Sequence, residues 1–103
     1  MSQHVYRYTF NDAVALSEVG DSLVLAAFSA EGIHGPAQVR LDATFYLDVG
    51  KRDCVVDGRN AVGETIARVF TGLLIREFGE EAFTVERLAE MPERELEPAA
   101  GGE

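Results

Sequence analysis

The chain has 103 residues, 47% of them hydrophobic and 26% charged, with a formal charge of −9 and one cysteine. That length suits one domain with a single modest core, and the composition is globular rather than disordered. The excess of acid excludes the basic footprint that a nucleic-acid partner requires and disfavours an anionic membrane surface.

The lone Cys54 excludes an internal disulfide and fits a reducing compartment. No apolar run approaches the roughly 20 residues that span a bilayer. Met1-Ser2-Gln3-His4 leads straight into a strand pattern, with no basic stretch ahead of an apolar one. No leader is therefore expected, and the expected localisation is cytoplasmic.

Residues 5–10 alternate as a half-buried strand, with Tyr6, Tyr8 and Phe10 on one face and Val5, Arg7 and Thr9 on the other. Asn11-Asp12 breaks it. Ser17 is the expected cap of a helix to about Glu31, stopped by Gly32, with Ile33 folding back on Phe28. Gly35-Pro36 opens the next segment, and residues 38–48 read as a long strand. There Val39, Leu41, Ala43, Phe45 and Leu47 share one face, and Gln38, Arg40, Asp42, Thr44 and Tyr46 share the other.

A turn at Gly50-Lys51, of the type with glycine at its first central position, sets Leu47 opposite Cys54, Phe45 opposite Val56 and Asp48 opposite Asp53. Val55 then points outward. Asn60 is the expected cap of a second helix, Ala61–Phe78, ended by Gly79, with Val62, Ile66, Val69, Phe70 and Leu73 as its buried stripe. Residues 82–88 read as a last strand with Phe83 and Val85 inward.

The element order predicts an α+β domain over residues 1–89. Its expected architecture is the ferredoxin-like split βαβ fold: a four-stranded antiparallel sheet, order β-α-β-β-α-β, with two helices on one face. Residues 90–103 are expected to form an acidic C-terminal tail, because Pro92, Pro98 and the Gly101-Gly102 pair break regular structure.

The sequence carries no identifiable catalytic set. Cys54 falls on the core face, where a thiol acts as a small hydrophobe. His4 and His34 lack the spacing of metal ligands, and His34 sits where a helix C-terminus favours an imidazole. Asp42, Asp48, Asp53 and Asp57 share the outer sheet face without the spacing of a cation loop. No cofactor or metal is therefore expected. The rows Ser22-Ala26-Ala30 and Gly63-Ala67-Thr71 suit close packing of the two helices.

An RNA-recognition use of this fold would place a basic, aromatic motif on the third strand, where the chain reads Arg52-Asp53-Cys54-Val55-Val56-Asp57. A metal carrier would place two cysteines after the first strand, and an acylphosphatase an arginine in a phosphate-cradling loop; residues 11–16 supply neither.

Apolar residues on the outer sides of the helices remain. Leu25 falls on the polar side of the first helix with Glu18 and Asp21, and Ile75 falls opposite the buried stripe of the second beside Glu64 and Arg68. Phe28 and Leu74 sit at the margins of those stripes, and Arg68 and Glu64 offer a polar rim. Leu25, Phe28, Arg68, Leu74 and Ile75 are the expected interface of a non-catalytic interaction or assembly module that docks on a protein partner or pairs with a second copy as a dimer. The alternative is a small enzyme or ligand-binding domain whose site is built between subunits.

Overall fold

A computed structural model describes residues 4–92; the expected tail residues Glu93–Glu103 lie outside them. The elements are β1 (Val5–Phe10), α1 (Leu16–His34), α2 (Pro36–Asp42), β2 (Phe45–Asp48), β3 (Asp53–Asp57), α3 (Ala61–Phe78) and β4 (Phe83–Leu88), with a single 3-10 turn, Glu80–Ala82, before β4. The domain is α+β. Its four strands form one open antiparallel sheet in the order β2-β3-β1-β4.

Strand alternation places the core. Tyr8 and Phe10 of β1, Cys54 and Val56 of β3, and the half-buried Phe45 and Leu47 of β2 pack with Val19, Leu23 and Ala26 of α1, Val39 of α2, and Val62, Ile66, Phe70 and Leu74 of α3. Tyr8 and Phe70 meet edge to face, with ring centres 4.9 Å apart, a favoured aromatic geometry. The β2–β3 register is the expected one: Leu47 faces Cys54, Phe45 faces Val56 and Asp48 faces Asp53.

Four local features differ from the sequence reading. The first helix begins at Leu16 without a side-chain cap, so Ser17 does not cap it. It also runs past Gly32 to His34, because the left-handed stop is Gly35, at φ 89°. Ile33 is thus helical and exposed.

The expected strand over 38–48 is a helix as far as Asp42, with Pro36 in its first turn and Gln38 donating to Asp42 four residues on, at 2.6 Å. Proline at that position is pre-organised for a helix. Leu41, expected inside, is exposed as a consequence, and Asp42 does not belong to the sheet face.

The β2–β3 turn takes its positive φ at Arg52 (53°) rather than at Gly50. The Arg52 amide donates to the Val49 carbonyl at 3.2 Å, and its guanidinium donates to the backbone oxygens of Asn11 and Val14. One residue thus closes the hairpin and holds the loop after β1. A non-glycine residue at such a φ costs about 1–2 kcal/mol, which these bonds offset.

Finally, the buried stripe of α3 is rotated relative to expectation. It consists of Val62, Gly63, Ile66, Ala67, Phe70 and Leu74, with Val69 only half-buried. The cause is the joint at the helix start. Asn60 accepts from the Gly63 amide at 2.7 Å and donates to the Asp42 carbonyl at 2.9 Å, so the first turn of α3 lies hard against the end of β3.

Candidate functional site

The five expected interface residues part into three groups. Leu74 is fully buried and belongs to the core, so it cannot meet a partner. Its place on the rotated stripe, four residues after Phe70, is the reason. Leu25 and Phe28 are 55% and 63% exposed, and with Val24 they make an apolar stripe along the outer face of α1.

Ile75, 39% exposed, lies elsewhere. The flank of α3 toward the end of α1 carries Thr65, whose hydroxyl lies 2.8 Å from His34 Nε2. Ile75 follows Thr71 by one turn, on the flank that Thr71 and Arg68 turn to a cleft.

That cleft, of about 720 Å³, is the feature the sequence reading missed. Its floor is Tyr6 and Tyr8 of β1, one wall is Val85 and Arg87 of β4, and the other is Glu64, Ala67, Arg68 and Thr71 of α3. Val85 points to the helix side, as alternation requires, yet is 43% exposed. The Tyr8 hydroxyl lies 2.8 Å from Thr71 Oγ1 and 3.4 Å from the Ala67 carbonyl. Burial pushes its pKa up to about 12, against the opposing bond to Thr71.

The other candidates sit in structural roles. Cys54 is fully buried, and burial, reinforced by the charge of Asp53, pushes its thiol up to about 12. A thiol so held is protonated at neutral pH and a poor nucleophile.

The outer sheet face is less open than a solvated polar face would be. Val55 is completely buried between its cross-strand neighbours Arg7 and Tyr46; long side chains lying across a sheet shield what is beneath them. Arg7 is held by Glu86 at 2.7 Å. Asp53 keeps its proton more readily than an ordinary aspartate, through burial and then through Asp48 opposite it, with Arg7 and Lys51 opposing. Asp57 moves the other way because the Arg59 guanidinium bonds it at 2.9 Å. Among the described residues no group of three or more His, Cys, Asp or Glu side chains is placed to hold a metal ion, and no helix is long and apolar enough to cross a membrane.

No family model, no curated protein and no solved structure matches this chain.

Proposed function

We propose that this chain is a ferredoxin-like interaction module that pairs with a second copy of itself through the outer stripe of α1. The strand order supports the fold: taken from the β4 edge it is β4-β1-β3-β2, every neighbour antiparallel, with α1 and α3 as the crossover helices and α2 as an added turn.

The observation that carries the function is the stripe itself. Val24, Leu25 and Phe28 are each more than half exposed on one face of one helix, and adjoining large apolar side chains of this kind suit the core of an association surface. A copy of the same chain is the favoured occupant on grounds of charge. At a formal −9, two copies repel wherever acidic faces meet; a two-fold contact sets like against like, so the apolar segment 24–28, which carries no charge of its own and has Glu18 and Asp21 on its N-terminal side, is the part of α1 that tolerates it.

Gly32 adds to this. It lies on the same side of α1, seven residues after Leu25, and a Cβ added there would meet nothing within 4 Å. A helical glycine costs about 1 kcal/mol relative to alanine, and the fold derives no contact from it. Close approach of a second helix gives it a use.

The test is the solution mass of the double variant Leu25→Asp, Phe28→Asp. The wild-type chain is expected at twice the chain mass and the variant at the chain mass, with its circular dichroism unchanged because both side chains lie outside the core. Charge at the centre of an apolar contact should weaken association by about 3 kcal/mol or more. A monomeric wild-type chain, or a variant that keeps the dimer mass, contradicts the proposal.

A further inference from the structure

We infer that the cleft between α3 and the β1–β4 edge binds a small organic anion, a carboxylate or phosphate group carried on an apolar ring. The site is distinct from the α1 stripe and does not depend on it.

Three observations converge. The first is the shape: a cleft of about 720 Å³ between α3 and the β1–β4 pair falls in the size range of small-ligand sites. The second is the wall. The ring of Tyr6 and the side chain of Val85 present apolar surface inside it, and Val85 keeps 43% of its surface exposed.

The third is the charge. Arg68 from α3 and Arg87 from β4 stand on the two sides of the cleft, with Glu64 as its one acid, so the lining carries a net positive charge on a chain of formal −9. Three other arginines are engaged within the fold, Arg7 with Glu86, Arg52 with backbone oxygens and Arg59 with Asp57; what sets Arg68 and Arg87 apart from Arg40 and Arg76 is that they share one cleft. Among the described residues, neither the Arg68 nor the Arg87 side chain has a hydrogen bond or ion pair. A guanidinium presents a planar fork of donors matched to carboxylate and phosphate. Two of them at the rim of an apolar slot select a ligand with an oxyanion at one end and a ring at the other.

The experiment is an amide chemical-shift titration of the full chain with benzoate and with phenyl phosphate at low ionic strength, alongside phenol and inorganic phosphate. Saturable shifts at Tyr6, Arg68, Thr71, Val85 and Arg87 are expected with the aromatic anions, and the tighter of the two identifies the oxyanion preferred. Arg68→Gln with Arg87→Gln should weaken that binding by about tenfold or more while leaving the rest of the spectrum in place, since both residues are exposed. The inference is overturned if neither anion gives saturable shifts, if the shifts fall on the α1 stripe, if the double variant binds as the wild-type chain does, or if phenol or inorganic phosphate alone binds as tightly.

Discussion

Replacing Gly63 by alanine is expected to destabilise the domain by about 3 kcal/mol or more, at the upper end of what a single added methyl does in a packed site. A Cβ at this position would collide with the backbone carbonyl oxygen of Asp57, lie 2.9 Å from its carbon and 3.3 Å from Asn60 Oδ1. None of these atoms is free to yield. The Asp57 amide donates to the Thr44 carbonyl at 2.9 Å, and its carboxylate is held by Arg59. Asn60 is committed at both ends, to Gly63 and to Asp42.

The added methyl therefore forces the first turn of α3 off β3 and breaks its cap. Gly72→Ala, on the same helix but with nothing within 4 Å, should instead stabilise by about 0.5–1 kcal/mol, the ordinary gain of alanine over glycine. Urea unfolding of the two variants beside the wild-type chain checks the contrast. Equal stability of all three would show that the close approach of α3 to β3 is absent in solution.

Raising the pH is expected to unmake the core from a second direction. Cys54 and Tyr8 both sit at about 12, against ordinary values of 9.0 and 10.0. Above pH 9 the unfolded chain gives up the Cys54 proton while the folded chain keeps it, and above pH 10 the same holds for Tyr8. The unfolded state then binds fewer protons, so stability falls as pH rises. The stability these two groups contribute is complete below pH 9 and is lost progressively toward pH 12.

At about 1.4 kcal/mol per pH unit and group, the loss by pH 11 is roughly 3–4 kcal/mol. Cys54→Ala separates the two groups. It should lose about 1 kcal/mol at pH 7 through the missing side chain, yet begin its alkaline decline near pH 10 instead of pH 9. Stability that stays flat to pH 11, or a variant whose decline coincides with the wild type, contradicts the burial of Cys54.

The parts of the fold legible in the sequence were those where local pattern and tertiary structure ask for the same thing. β1 and α3 were found with nearly their true bounds, because alternation from Val5 to Phe10 and the Asn60 and Gly79 stops are undiluted signals. The β2–β3 register also emerged, since one slip would have turned Cys54 and Val56 out of the core.

α2 was lost because Val39, Leu41 and Ala43 alternate as well as any strand does. The competing evidence, Gly35-Pro36 and the four-residue spacing of Gln38 and Asp42, covers little more than one helical turn. Leu74 was misplaced for another reason. The stripe of α3 is turned by the contact of Gly63 with Asp57, a tertiary event that helical periodicity does not record. The cleft had no local signature at all. Tyr6, Arg68 and Arg87 are unremarkable one at a time, and what joins them is the tertiary placement of α3 beside the β1–β4 pair.

The pairing of two copies along α1 is tested most directly by joining them. Cys54 is fully buried, so a single cysteine placed on the surface is the one thiol a flexible bis-maleimide can reach in the folded chain. Leu25→Cys keeps a small apolar side chain on the stripe, and Thr84→Cys sets the same thiol on the exposed outer face of β4. The proposed contact predicts that Leu25→Cys links into a covalent dimer in high yield at dilute concentration while Thr84→Cys stays at the chain mass. Equal yields from the two positions, or no dimer from Leu25→Cys, would contradict self-association through α1.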